Sequence, residues 1–109
     1  MSTLKIVKFE GKKIGSIEYR MQNTLEGRSI YVDFFWLEDE YRGKGFFKVL
    51  FNTLIAVGKR KRIKIFYLIP TDDRVYEIYK KYGFVGDKKL MRYEVIKPSA
   101  LRALGVDTV

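Results

Sequence analysis

The sequence predicts a mixed α+β domain whose elements follow the order β-β-β-α-β-α-β. Up to Leu37, apolar and polar residues largely alternate, as they do in strands. From Phe46 onward, apolar residues recur at intervals of three and four, as they do in helices. Glycine or proline separates most of these segments. Because 109 residues is the length of one domain, we expect a single domain over residues 1–96 and a tail over 97–109 with room for one helical turn.

The first three predicted elements are strands. Residues 3–9 and 13–21 flank the turn at Gly11, which predicts a hairpin. Residues 23–28 are polar and predict a loop. Residues 29–37 are rich in β-branched and aromatic side chains, which predicts a central strand covered on both faces. Strict alternation would divide this strand into one face with Ile30, Val32, Phe34 and Trp36, and another with Tyr31, Asp33, Phe35 and Leu37.

Two helices alternate with two further strands in the second half. Residues 46–57 have helical spacing, and Gly58 is expected to end that helix. Residues 62–69 alternate as a strand, which Pro70 ends. Thr71 is the expected N-cap of a second helix that reaches Tyr82. The last predicted strand covers residues 90–96.

Composition excludes several kinds of chemistry. The chain has no Cys, which excludes thiol nucleophiles and disulfides, and no His, which excludes imidazole bases; without either, we expect no metal site of the zinc-finger type. The net charge of +9 favours anionic ligands, although nucleic acid is not the favoured partner. No apolar run approaches the roughly 20 residues of a membrane span, and the N-terminus lacks the apolar stretch of a signal peptide. We therefore expect a cytoplasmic protein that does not cross a membrane.

A glycine-rich turn lies between the third strand and the first helix. It consists of Arg42, Gly43, Lys44 and Gly45. The N-terminus of a helix presents unpaired N–H groups that attract phosphate, and glycines let the backbone approach an anion closely. A diphosphate site and an ordinary strand-to-helix turn with solvated basic residues are both consistent with this spacing.

Three segments resemble the GNAT superfamily of acetyl-CoA-dependent N-acetyltransferases. Residues 37–47 (Leu-Glu-Asp-Glu-Tyr-Arg-Gly-Lys-Gly-Phe-Phe) are similar to the cofactor signature of the family. Residues 72–84 (Asp-Asp-Arg-Val-Tyr-Glu-Ile-Tyr-Lys-Lys-Tyr-Gly-Phe) are similar to its second signature, and residues 7–15 to its hairpin. The resemblance covers roughly residues 4–96. It implies a central, mostly antiparallel, twisted sheet of about five to six strands with two main helices.

The resemblance also implies roles for individual residues. Acetyl-CoA would be the co-substrate, with its pantetheine arm paired to the backbone near Leu37 and Glu38 and its pyrophosphate on the amides of residues 42–47. Tyr79 matches the tyrosine that protonates the leaving thiolate, and Asp33 is the candidate base. The cofactor-binding set that it implies is Leu37, Glu38, Arg42, Gly43, Lys44, Gly45, Phe46, Phe47 and Asp72.

Three departures from the family pattern bear on this assignment. Phe47 stands where the family usually has Gly or Ala, and Val75 replaces Ala. Only three residues precede Leu4, so the resemblance implies a short form without the strand and two helices that form one wall of the acceptor site. A homodimer partner or residues 99–109 would then complete that wall.

Each candidate residue also has a plainer interpretation. Tyr79 fits the apolar stripe of its helix as a core residue, and Asp33 fits an ion pair with a neighbouring strand. The aromatic residues of the third strand suit core packing better than base stacking. A solvated turn is favoured over a nucleic-acid patch for Lys59, Arg60, Lys61 and Arg62.

Two functional hypotheses follow. The favoured one is transfer of an acetyl group from acetyl-CoA to an amine of unidentified kind, in a peptide, a protein or a small molecule. The alternative is a GNAT-fold module without catalysis that binds nucleic acid or a protein.

Overall fold

The computed structural model describes residues 2–95. These form a six-stranded sheet with two α-helices and one short 3-10 turn, the turn at Asp39–Tyr41. The strands are β1 (Thr3–Phe9), β2 (Lys12–Thr24), β3 (Gly27–Leu37), β4 (Ile65–Leu68), β5 (Val85–Asp87) and β6 (Leu90–Glu94); the helices are α1 (Phe47–Lys61) and α2 (Asp73–Lys81). The predicted fold class and order are confirmed, with β5 as one additional strand.

The sheet has the strand order β1-β2-β3-β4-β6-β5. Within residues 2–95, β3 and β4 form its single parallel pair, because α1 carries the chain back between them. The remaining neighbours are antiparallel. The sheet is therefore mostly antiparallel, as predicted, and β3 lies in its interior.

Both helices pack on the same face of the sheet. The ring of Phe35 in β3 contacts Phe47 of α1 and Tyr79 of α2, with ring centroids 5.2 and 5.8 Å apart. Phe66 of β4 lies against Gly58 of α1, so closely that a Cβ at Gly58 would be 2.4 Å from its ring. The core between this face and the helices is apolar, and its fully buried side chains include Ile14, Ile17, Ile30, Leu50, Leu54, Phe66, Phe84 and Met91.

A β-bulge at Asp33 changes which side chains of β3 share a face. Tyr19 lies opposite Val32 but Glu18 lies opposite Phe34, so Asp33 is an extra residue in the ladder. Val32 and Phe35 therefore both face the helices. Phe34 and Trp36 face the other side, where they are 45% and 39% exposed. The predictions of strict alternation and of cover on both faces are wrong for this strand.

The ends of several other elements also differ from prediction. The polar residues 23–28 do not form a loop, because β2 and β3 extend to a tight turn at residues 25 and 26. Helix α1 does not stop at Gly58; it continues to Lys61, and its C-cap is Arg62, whose φ of 58° provides the left-handed conformation more usual for glycine. The N-cap of α2 is Asp72 rather than Thr71. Strand β4 is shorter than predicted, and residues 97–109, the predicted tail, lie outside the described residues.

No helix within residues 2–95 is both long enough and apolar enough to cross a lipid bilayer.

Candidate functional site

The site begins where β3 separates from β4. The two strands pair only through residues 30–32 and 66–68, whereas β3 continues to Leu37. The amide of Glu38 donates to the carbonyl of Ile14 in β2 at 2.8 Å. Because backbone groups alternate in direction along a strand, the amide and carbonyl of Leu37 point away from β2, into the gap beside β4.

The glycine-rich turn brings the chain from β3 into α1. Gly43 and Gly45 have φ values of 71° and 83°, in the left-handed region that favours glycine. A Cβ built at either position meets no heavy atom within 4 Å, so the backbone conformation, rather than lack of space, requires glycine. The turn is exposed on its outer side, and Lys44 is exposed on it.

The N-terminus of α1 carries no side-chain cap. Phe46 is the N-cap and makes no capping hydrogen bond, and the first turn contains no acidic residue. By contrast, the Asp72 carboxylate caps α2 by accepting from the amide of Val75 at 2.9 Å. The first amides of α1 are therefore available to an anion, and the helix dipole favours one there.

Arg42 is held by three contacts near the end of β3. Its Nε donates to the carbonyl of Leu37 at 2.9 Å, and its guanidinium lies 3.2 Å from a carboxylate oxygen of Asp39. The same guanidinium stacks over the ring of Trp36, 4.3 Å from its centroid. The side chain thus spans the exposed aromatic face of β3 and the gap beside β4.

A cleft of about 580 Å³ joins the glycine-rich turn to α2. It brings together eight of the predicted residues but does not include Glu38, Lys44 or Asp33 in its lining. The predicted residues that line it are Leu37, Arg42, Gly43, Gly45, Phe46, Phe47, Asp72 and Tyr79.

The ring of Phe47 fills the space between the two helices. Its centroid lies 5.7 Å from that of Tyr79 and 5.0 Å from that of Tyr82. The ring of Phe46 packs against Phe9 and Tyr41 instead. Both bulky side chains therefore pack against other aromatic rings, and their amides remain at the N-terminus of α1.

Tyr79 is both a core residue and a residue of the cleft. Only 7% of it is exposed, and its ring packs against Phe35, Phe47 and Phe84. Burial, and then the negative charge of Asp72, raise the pKa of Tyr79 to about 12. The phenol consequently stays protonated at neutral pH and is able to donate a hydrogen bond.

Asp33 lines a second, smaller cavity of about 140 Å³. Its carboxylate lies 3.4 Å from the guanidinium of Arg20 on β2, and its side chain is 28% exposed. This is the ion pair that the sequence left open as an alternative. The smaller cavity adjoins the larger cleft, and the residues that line both are Phe34, Phe35, Thr71, Val75 and Tyr79.

Sequence reasoning did not assign Phe34, Phe35 or Thr71 to the site. Their placement depends on the bulge and on the separation of β3 from β4, neither of which has a clear signal in one sequence. The residues described include no group of three or more Asp or Glu side chains that could hold a metal ion. Lys59, Arg60 and Lys61 form the last turn of α1 and Arg62 is its C-cap, so the prediction of a turn outside the helix is wrong, although Lys59, Arg60 and Arg62 are solvent-exposed.

Comparison with solved structures supports the same fold at low sequence identity. The KacTA–DNA complex aligns with a TM-score of 0.69 and 14% identity over 96% of this chain and 73% of that one. PaiA N-acetyltransferase from Thermoplasma acidophilum, in complex with coenzyme A, aligns with a TM-score of 0.66 and 20% identity over 86% and 61%. The NatC complex bound to Gag peptide and CoA aligns with a TM-score of 0.65 and 18% identity over 83% and 69%.

The chain thus spans 61% of the PaiA structure's length. No protein of curated function matches the sequence. Residues 2–84, which include β1 to α2 and every predicted site residue, match the acetyltransferase (GNAT) family. The chain belongs to the GNAT acetyltransferase family.

Proposed function

We propose that this protein is an N-acetyltransferase that transfers the acetyl group of acetyl-CoA to a primary amine. One observation carries the proposal. The uncapped N-terminus of α1, with its two left-handed glycines, opens onto the gap between β3 and β4, and the protonated Tyr79 lies in the same cleft. A CoA thioester requires three features: an anion site for its pyrophosphate, unpaired strand backbone for its pantetheine arm, and a proton donor for its sulfur.

The residues present fit such a co-substrate. The amides of residues 43–47 suit its pyrophosphate, with the positive charges of Arg42 and Lys44 beside them. The backbone of Leu37 faces the gap and suits the amides of the pantetheine arm. The carbonyl of Leu37 accepts from Arg42, so we expect that guanidinium to move when the arm pairs there. Asp72 lines the far side of the cleft.

The chemistry needs little more than positioning and one hydrogen-bond donor. Acetyl-CoA supplies the thioester, and the amine attacks its carbonyl carbon. The Tyr79 hydroxyl donates to the sulfur as the C–S bond breaks, and its raised pKa keeps it a donor throughout the neutral range. Asp33, or water in the smaller cavity, accepts the proton released by the amine. Holding the two reactants in line supplies most of the remaining acceleration.

A thermal-shift titration with acetyl-CoA, CoA and desulpho-CoA tests the proposal. A ligand that binds only the folded chain raises Tm with its concentration. Gly45→Glu is expected to abolish the shift, because it adds a carboxylate where the pyrophosphate would lie. Gly27→Glu is the matched control: Gly27 also has a positive φ and open space, but it lies at the other end of β3. No shift with the wild type, or equal loss in both variants, would contradict the proposal.

The alternative is a GNAT-fold module without catalysis that binds nucleic acid. It is favoured by the net charge of +9, and one structural relative was solved in a complex with DNA. Salt-dependent retention on DNA or RNA that CoA does not alter would support it. A saturable shift with acetyl-CoA together with acetylation of an amine would exclude it.

A further inference from the structure

The larger cleft and the smaller cavity adjoin each other beside β3, so the combined space has a larger end and a smaller end. They share five lining residues, among them Tyr79 and Phe34. The larger end opens toward the glycine-rich turn, whereas the smaller end contains Asp33 and Ile69. Under the proposed function, on which this inference rests, acetyl-CoA occupies the larger end. The amine must then enter through the smaller one.

The smaller cavity is too small for most whole acceptors. Its volume of about 140 Å³ compares with roughly 300–1,000 Å³ for pockets that enclose a small molecule. It has room for an amine and the few atoms attached to it. The rest of the acceptor must therefore lie outside, on the surface next to Phe34.

That surface is a groove on the sheet face that the two helices leave uncovered. Leu4 and Ile6 of β1 form one wall, and they are 60% and 38% exposed. Phe34 and Trp36 of β3 form the other wall, stacked with ring centroids 5.9 Å apart. β2 provides the floor, with Ser16 and Glu18 between the walls. Two strand spacings separate the walls by about 10 Å, which accommodates one extended polypeptide chain. We call this surface the open-face groove.

The charges around the open-face groove favour an apolar chain with a cationic end. Arg20 is paired with Asp33 at 3.4 Å and Arg42 with Asp39 at 3.2 Å, so each of these two arginines has a carboxylate partner. Glu18 lies opposite Phe34 in the ladder, at the end of the groove next to Asp33. An ammonium group therefore meets the Glu18 carboxylate as it enters, while a polyanion finds Arg20 and Arg42 already paired.

The two sides of the entrance differ. On one side of the entrance, the open-face groove lies over β2, between β1 and β3, and its walls are apolar side chains. Toward β6, the surface carries a charged network in which Arg92 pairs with Glu26 at 2.7 Å and with Glu94 at 2.8 Å. If the acceptor amine belonged to a lysine within a chain, polypeptide would extend in both directions from the entrance. If it is an N-terminal amine, polypeptide extends in one direction only. We infer that the acceptor is the N-terminal α-amine of a polypeptide whose first residues are apolar, bound along the open-face groove.

Acceptor competition with full-length protein tests the inference. The acceptors are a hexapeptide with three leucines at its N-terminus, the same peptide with three aspartates, an Nα-blocked hexapeptide with one internal lysine, and spermidine. We expect the leucine peptide to have the highest kcat/KM. Leu4→Glu is expected to raise its KM about tenfold or more, since burial of one leucine side chain is lost. Val85→Glu is the control, because Val85 is 63% exposed but lies at the opposite edge of the sheet, in β5; it should leave KM unchanged.

The outcomes separate this inference from the proposed function. Absence of an acetyl-CoA thermal shift would overturn both. A normal shift with spermidine or the lysine peptide as the best acceptor, or an unchanged KM in Leu4→Glu, would overturn the inference alone. A concentration-dependent dimer that Leu4→Glu dissociates would show that a second copy covers the groove, and would overturn it too. The acetyl-CoA shift of Leu4→Glu itself reports whether that variant is folded.

Discussion

The raised pKa of Tyr79 makes a quantitative prediction about stability at high pH. The phenol has an ordinary pKa near 10, and burial with the charge of Asp72 raises it to about 12 in the folded chain. Between these values the unfolded chain loses its phenol proton while the folded chain keeps it. Folding stability from this group is therefore complete below pH 10 and is lost as the pH rises toward 12.

The size of the effect follows from the two pKa values. A pKa that differs by one between the folded and unfolded chain corresponds to roughly 1 kcal/mol, so the full loss is about 3 kcal/mol above pH 12 and about half of that at pH 11. Urea unfolding of the wild type and of Tyr79→Phe at pH 8, 10 and 11 measures it. The two proteins differ only at residue 79, so the difference between their unfolding free energies isolates Tyr79.

We expect the wild type to lose roughly 1 kcal/mol of unfolding free energy relative to Tyr79→Phe between pH 8 and pH 11. Asp72→Asn keeps the Tyr79 ring but removes the negative charge that helps to raise its pKa, so the loss should be smaller and complete at a lower pH. A difference between wild type and Tyr79→Phe that does not change with pH would refute the assignment of Tyr79 as a desolvated phenol.

Three further predictions concern the site and its support. Tyr79→Phe should lower kcat for acetylation about 100-fold while leaving the acetyl-CoA thermal shift in place, since it removes a proton donor rather than a binding contact; an unchanged kcat would exclude Tyr79 as the acid. Gly58→Ala should lower the free energy of unfolding in urea by about 1–3 kcal/mol, because its Cβ would lie 2.4 Å from the Phe66 ring and 2.9 Å from the Ile63 carbonyl oxygen; wild-type stability would show that the ring moves freely. Asp72→Ala should lower the free energy of unfolding by about 1 kcal/mol, because α2 loses its side-chain cap, whereas Asp72→Asn should lower it much less. Equal losses in the two variants would contradict capping by the side chain.

The parts of the fold that depend on local patterns were predictable. The turn from β3 into α1 has a strand pattern before it and helical spacing after it, so the turn and the N-terminus of α1 were predictable at residues 42–47. Asp72 and Tyr79 share a helix because their spacing is helical, and both line the cleft. These features depend on residues that are close in sequence.

The parts that depend on pairing between distant strands were not predictable. The bulge at Asp33 exists because one residue of β3 has no counterpart in β2, and no residue in the sequence marks it. The bulge places Phe35 on the face that the helices cover and leaves Phe34 exposed on the other face. A strand that was expected to be covered on both faces therefore contributes one wall of the open-face groove. The sequence pattern predicts Gly58 as a helix stop, whereas in the structure Gly58 leaves space for the ring of Phe66, which is a tertiary contact.

The short pairing between β3 and β4 provides a built-in reporter of ligand binding. Phe35 and Leu37 direct their amides into the gap, where no strand within residues 2–95 accepts them, so these amides are open to water or to a ligand. Their hydrogens should therefore exchange with deuterium far faster than that of Glu38, which is bonded to Ile14. A molecule that occupies the gap slows exchange at Phe35 and Leu37 and leaves Glu38 as an internal reference, so exchange measurements on this strand would locate a bound co-substrate residue by residue.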